Sequence, residues 1–370
     1  MRTLLRAIYE KTPLPKDINL YRQILETPNS IMFSSQLYYL LTIRDLIDQV
    51  PGFFHHEIKK RAITNLIFNS VIEAELRKIL DRFEKNQIHV IPLKGPLFAE
   101  KYFGSLSARG TSDIDILVKR PQIKQAIALI NDMGYDSQVA YEQEHFHIAF
   151  QKRLTGTNYP LIVEIHWHFL REKTSSLDMN LIWRDSVQLK PYQYVREPSD
   201  FHMFYLICLH GWNHELINWK YFVDIIQMIH TLSHKLSYED LFLFAGKQKT
   251  YRRIARTLII VYHEFPHLNH ILPLPLRTNQ TFWWHKSDLY SKKDLKATFG
   301  VLIKRIRQTN DYDTWQQKWI WLKRNLFPDP VIMARIIGPD KRKLYRPVQY
   351  FLFLLKCFAE IIRSLARKRI

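Results

Sequence analysis

Apolar residues recur along this chain in more than one rhythm. Over residues 37–50 and 58–83 they return every three or four positions, the spacing of a helix with one buried face. Pro51-Gly52 separates the two runs as a turn. From residue 88 the pattern mixes. Strands are predicted over 88–93, 114–118, 135–140, 145–151 and 161–168. Helices are predicted over 97–103, where Pro96 suits a first helical position, and over 123–133, which Gly134 is placed to stop. After Trp183 helical spacing returns, with buried-looking runs at 201–209 and 219–232. Pro273-Leu274-Pro275 and Pro328-Asp329-Pro330 break the later helices. The chain therefore reads as α+β and predominantly helical, with a small mixed sheet carrying helices on one face. The expected divisions are a helical region at 1–85, the sheet-bearing core at 86–175, a helical domain at 176–340 and a basic amphipathic helix or tail at 341–370. No internal repeat or low-complexity linker marks those boundaries.

The alternation gives the polar exceptions their meaning. In Thr111-Ser112-Asp113-Ile114-Asp115-Ile116-Leu117-Val118 a strand turns Asp113 and Asp115 to one face and Ile114, Ile116 and Val118 to the other. Two carboxylates crowded on one face repel each other unless a cation lies between them. Magnesium suits hard oxygen donors and usually bridges a few carboxylates to a substrate's phosphates. The plainer reading is a pair of solvated strand-end acids. In Leu161-Ile162-Val163-Glu164-Ile165-His166-Trp167, Glu164 and His166 share one face. An acid in so apolar a strand is costly to bury unless it is paired or binds a metal, so Glu164 is a third candidate carboxylate. An edge-strand glutamate facing water is the alternative.

Upstream, Lys94-Gly95-Pro96 joins the 88–93 strand to the following helix. A helix N-terminus offers unpaired N–H groups and a favourable dipole to phosphate, and Lys94 adds a full charge. An ordinary turn beside a surface lysine is the competing reading. Arg109 could grip a triphosphate through two N–H groups or neutralise the neighbouring acids as a structural ion pair; the sequence leaves both open.

Taken in order, Leu93-Lys94-Gly95, then Arg109 ahead of Asp113-Ile114-Asp115, then Val163-Glu164-Ile165-His166-Trp167 resemble the uncharacterised nucleotidyltransferase family of the polymerase-β-like superfamily. There a Gly-Ser pair opens a helix, a D-x-D pair follows on the next strand, and a third acid comes from a later strand. The resemblance covers about residues 60–230. Two departures stand out. Lys94-Gly95-Pro96 replaces the usual Gly-Gly/Ser turn, and the gap to Asp113 is longer than in the best-known members.

The resemblance implies transfer of a nucleoside monophosphate from NTP to an acceptor hydroxyl, with release of pyrophosphate. It implies two Mg2+ ions, with Mn2+ as a substitute, held by Asp113, Asp115 and Glu164 as the catalytic acids. Glu164 would stand on the acceptor side and help deprotonate the hydroxyl. Lys94, the Gly95 amide and Arg109 would hold the triphosphate. The expected acceptor is a small molecule, glycan precursor or peptide. One alternative is an RNA acceptor, since basic charge favours phosphate backbones. Another is a non-catalytic binding protein that meets a membrane or polyanion through its basic C-terminus; the presence of all three acids argues against it.

Composition narrows the setting. In 370 residues, 46% hydrophobic and 14% aromatic, there is ample material for a core, and disorder is not expected. Ten glycines suit a mainly helical chain. Cys208 and Cys357 are far apart and read as buried thiols, which suits a reducing cytoplasm. The N-terminus lacks an apolar stretch of signal-peptide length, so secretion is not expected. The net charge of +19 would attract anionic substrates, nucleic acid or an anionic membrane. From Lys341 on, the chain carries roughly eight net positive charges, with Glu360 the only acid. Those charges flank Tyr350-Phe351-Leu352-Phe353-Leu354-Leu355, too short to span a bilayer. They fit either a helix lying in the membrane interface or a core helix with a solvated basic tail.

Several other residues attract attention. His210 and His214 have a metal-binding spacing but no accompanying glutamate motif, and packing beside Trp212 competes. Asp224 is an acid in an apolar helix, at a position resembling one in the family's helical half; a structural hydrogen bond is its default role. His145 and His147 alternate near the proposed site, and Phe282-Trp283-Trp284-His285 reads first as core and second as a stacking or membrane surface.

Overall fold

The computed structural model describes residues 1–27, 30–137, 146–153, 160–277, 284, 308–326, 338 and 345–367. The chain opens with helices α1 (Arg2–Glu10), α2 (Ile18–Glu26), α3 (Ser30–Thr42) and the 34-residue α4 (Gly52–Lys85). Then come β1 (Val90–Pro92), α5 (Pro96–Phe103), β2 (Asp113–Val118), α6 (Ile123–Asp132), β3 (His147–Arg153) and β4 (Pro160–His166). Next are α7 (Met179–Arg184), the short strands β5 (Val187–Gln188) and β6 (Arg196–Glu197), α8 (Asp200–Asn213), α9 (Trp219–Leu232), α10 (Tyr238–Lys247) and α11 (Tyr251–Glu264). Two further helices, Trp315–Leu326 and Arg346–Arg367, complete the described chain. The fold is α+β and predominantly helical, as the spacing predicts.

The sheet runs in the order β1-β2-β4-β3. β1 is antiparallel to β2, β2 parallel to β4, and β3 antiparallel to β4. A parallel pair needs a long crossover, and the chain makes it through α6 and β3 before β4 lies beside β2. The apolar members of the alternation, Ile114, Ile116, Val163, Ile165 and Phe150, are almost fully buried in a core shared with Ile72, Ile79 and Phe83 of α4 and with Ala126 and Ile130 of α6. Helices pack on the second face as well, where only one was expected. Ile91 and Leu117 are apolar there and join a larger core with the helices. That core mixes the beginning and the later part of the chain: Leu4, Ile8 and Leu37 lie in it with Phe204, Phe222 and Leu258.

The helix boundaries depart from the spacing in one instructive place. Pro51 is not in a turn between helices; it is the N-cap of α4, and Gly52 is that helix's first residue. Proline lacks the N–H that an N-cap position does not need, while its carbonyl accepts from Phe54 and His55. Phe54, fully buried, anchors the first turn. The preceding run is interrupted, with α3 ending at Thr42 and a single 3-10 turn at Ile47–Gln49. Near residue 135 there is only an isolated bridge, Asp136 to Gln151, and the remainder of that expected strand (138–140), with His145, lies outside the described residues. Pro328-Asp329-Pro330 lies outside them too. β5 and β6, two residues each, are too short to leave a readable period.

Both borders of the sheet are partly closed. Val90 bridges Val195 and donates its N–H to the Tyr194 carbonyl outside β1, while the Asp136 bridge lies against β3. Cys208 is a buried free thiol. On the helix Arg346–Arg367, Phe351, Leu354 and Leu355 are exposed although Phe353 is buried. No helix among the described residues is long and apolar enough to cross a membrane.

One side chain of α4 fixes the approach to β2. Asn69, fully buried, donates to the carbonyls of Leu106 (2.8 Å) and Arg109 (2.7 Å) and accepts from the Thr111 amide (3.0 Å). Asn69→Ala would leave three buried backbone groups unpaired. It should cost about 2–4 kcal/mol, read as a lower urea midpoint at unchanged slope. An unchanged midpoint would show that the loop does not depend on Asn69.

Candidate active site

The β2–β4 register sets the site. Asp115 pairs across from Glu164 and Leu117 from His166, so β2 and β4 present their polar side chains to the same face. His166 Nε2 lies 3.0 Å from Asp115 Oδ1 and 3.2 Å from Glu164 Oε2. Lys94, at the end of the β1 segment, brings Nζ within 2.8 Å of Asp115 Oδ2. Asp115 is thus enclosed by two cationic side chains. Asp113, two residues earlier on the same strand face, is more exposed and accepts from the Ser112 hydroxyl at 3.1 Å.

The two aspartates titrate in opposite directions. Burial opposes ionisation of Asp115, but the Lys94 charge and the His166 hydrogen bond outweigh it and hold the carboxyl well below the usual range. Burial and the adjacent Asp115 charge push Asp113 up, against Lys94 and Lys220. Glu164 is held low because the His166 bond overcomes its burial. His166 is raised, burial notwithstanding, because both acids favour its charged form. A crowded acidic site is made tolerable by placing cations at its centre.

The residues foreseen from sequence are placed as follows. Gly95 is the N-cap of α5 with φ 83°, a left-handed value that favours glycine, and Pro96 follows at the first helical position. A Cβ there would meet Thr111 Cγ2 at 3.4 Å. Lys94 faces Asp115. Arg109 is paired with Asp224 and not with the strand acids, although the Asp113 charge still acts on it. It is 2% exposed, its Nε lies 2.9 and 3.0 Å from the two Asp224 oxygens, and its Nη2 lies 2.9 Å from Oδ2. Its guanidinium also lies over Phe98, 5.0 Å from the ring centre. A nucleotide contact from Arg109 would require that pair to open. Asp224, whose role the sequence leaves at a structural hydrogen bond, is the other half of this tie and also accepts from Gln36 at 2.7 Å.

Asp113, Asp115, Glu164 and Lys94 line one cavity of about 540 Å³, closed on the helical side by His210, Trp212 and His214. His210 and His214 touch ring to ring (4.4 Å), and His214 stacks on Tyr221 (5.1 Å). Among the described residues, ligand atoms from three or more groups converge in one place: Asp115, Glu164 and His166, all within 4.8 Å of one another. This set could hold a divalent cation. Its carboxylates suit Mg2+ or Mn2+, and its imidazole is a ligand type more usual for later transition metals. Sequence reasoning noted that His166 shares a face with Glu164 but did not make it a ligand. It also passed over Lys220, buried in the first turn of α9 and brought down to about 7 by burial and Arg109. His147 stacks on His166 at 5.1 Å. Trp284 is buried against Phe222, while Phe282, Trp283 and His285 lie outside the described residues.

A family model described as an uncharacterised nucleotidyltransferase matches residues 34–265. No curated protein and no solved structure matches the chain.

The charge arrangement has a pH signature. His166 is raised in the folded state, so its pairing contributes fully below about pH 6.5 and is lost as pH rises through the higher folded value. Asp115 is depressed, so its contribution is present above about pH 3.9 and disappears on acidification. His166→Gln should therefore destabilise the protein more at about pH 6 than at about pH 9, compared by urea midpoints with wild type. Equal penalties at the two pH values would show that the imidazole is not charged between the acids.

Proposed function

The chain belongs to the uncharacterised nucleotidyltransferase family, and on that premise we propose that it transfers a nucleoside monophosphate from NTP to an acceptor hydroxyl, releasing pyrophosphate. The observation that carries this reading is the convergence of Asp115, Glu164 and His166 in a cavity that Asp113 also lines. In this proposal Asp113, Asp115 and Glu164 hold two Mg2+ ions, or Mn2+, and His166 joins them or orients their oxygens. The metal, when bound, neutralises charge on the transferring phosphoryl group and on the leaving pyrophosphate.

The protein's own groups supply alignment. Lys94, already aimed at Asp115, stands where it can pair with phosphate oxygens beside the Gly95 turn and the start of α5. Glu164 is kept ionised by His166, ready to accept the proton of the acceptor hydroxyl. Arg109 serves by anchoring the loop that delivers β2. We place the chemistry on the sheet-bearing segment 86–175 and give the helical segment 176–340 the shaping of the acceptor pocket. We favour a small molecule, glycan precursor or peptide over RNA as the acceptor, since the cavity is only about 540 Å³.

A second property rests on the helix Arg346–Arg367. Exposed Phe351, Leu354 and Leu355 beside basic residues favour peripheral contact with an anionic membrane from the cytoplasmic side. Full-length protein should float with anionic vesicles, and protein lacking 341–370 should not. Equal flotation of both would remove the proposal.

Transfer itself is tested with α-labelled NTP, Mg2+ and cell extract. Asp113→Asn combined with Glu164→Gln should lower label transfer by roughly three orders of magnitude while the melting temperature persists. Label transfer at the wild-type rate in that variant would refute the assignment, as would failure of wild type to bind Mg2+–NTP.

A further inference from the structure

Another stretch of the cavity carries the opposite charge. Arg171, Arg253 and Arg324 line it, from the segment after β4, from α11 and from the helix Trp315–Leu326. Arg253 is 1% exposed. Its Nη2 donates to the carbonyls of Thr174 (2.7 Å) and Lys249 (3.1 Å), while its Nε is buried without a hydrogen-bond partner. The guanidinium sits over the rings of Trp212 (5.4 Å) and Tyr312 (5.0 Å). Tyr312 in turn feels the charges of Arg171 and Arg324.

These arginines have no carboxylate partner within 4.0 Å among the described residues. Two acids act on Arg253 from further off, and both are engaged elsewhere. Asp311 holds Arg256 (3.0 Å) and the Trp212 indole N–H (2.9 Å). Asp313 accepts from the amides of Tyr251 and Arg252 that open α11. A guanidinium buried on aromatic rings without a counter-ion is costly, and its planar donors match phosphate or carboxylate. The arginines are also not among the charges that act most strongly on Asp113, Asp115 or Glu164, where Lys94, Lys220 and His166 dominate.

We propose that Arg171, Arg253 and Arg324 bind a phosphate or carboxylate group of the acceptor, which makes the acceptor an anion. The assignment to the acceptor rests on the nucleotidyl-transfer reading; the anion site itself does not.

The test uses the full chain without added metal, titrated with phenyl phosphate and followed by tryptophan fluorescence, since Trp212 and Trp321 line the cavity. Arg253→Met tests the buried group directly. Arg171→Ala/Arg324→Ala, at the more exposed positions, keeps the test decisive should Arg253→Met not fold. Wild type should show saturable quenching, and the double variant should bind roughly tenfold or more weakly. Its Mg2+–ATP binding by calorimetry should be unchanged. Absence of saturable binding, or equal binding by wild type and double variant, overturns the proposal. A parallel loss of Mg2+–ATP affinity overturns the acceptor assignment and gives the arginines to the nucleotide's phosphates. Phenyl phosphate binding by a wild type that does not bind Mg2+–ATP would count against nucleotidyl transfer and leave the anion site standing.

Discussion

Arg109 and Asp224 meet with almost no solvent between them and the rest of the protein, the guanidinium gripping both carboxylate oxygens. The pair joins the loop before β2 to α9, and Gln36 of α3 braces it from a third direction. Asn69 of α4 holds the carbonyl of the same arginine. The loop is therefore pinned by three helices before it enters the sheet. A buried ion pair adds little net stability over a well-packed apolar substitute, yet removal of one member strands the other and costs roughly 3–5 kcal/mol. Its value here is positional. It fixes where β2 begins, and so how far Asp113 and Asp115 stand from the helical wall that carries His210 and Trp212.

Within the site the electrostatics work toward the same end. Four strand positions bring three acids and His166 to one face, and the repulsion among the acids is relieved by Lys94 and His166. Cations already present in the fold therefore hold Asp115 and Glu164 together on the face shared by β2 and β4. Arg253 nearby is held differently, by two rings and two carbonyls, with Asp311 and Asp313 acting on it only from further off.

Much of this was legible in the residues. The helix at 97–103, the strand carrying Asp113 and Asp115, the helix at 123–133 and the strand carrying Glu164 all follow from period and punctuation, and each is found within a few residues of its expected bounds. The family resemblance is matched by a model over 34–265. What escaped was long-range. That Arg109 would meet Asp224, 115 positions away, is set by packing and not by local pattern. The approach of His166 to Asp115 depends on β2 and β4 being direct neighbours in parallel, which strand periodicity does not reveal. Arg253 reads as one more basic residue on an amphipathic helix; only the fold lays it across two aromatic rings. Pro51 misled because a proline between apolar runs serves equally as a break or as the cap of the next helix.

The partly closed borders of the sheet have a bearing on how the molecule behaves in a crowded solution. A strand with free N–H and C=O groups along its side is a template for pairing with another chain. Here β1 is engaged by Val195 and the Tyr194 carbonyl, and β3 by Asp136, next to Lys152 and Arg153. Short contacts and positive charge together make the sheet a poor partner for its own copies. The strands that gather the acids, β2 and β4, lie inside the sheet, so another chain would have to displace β1 or β3 before reaching them.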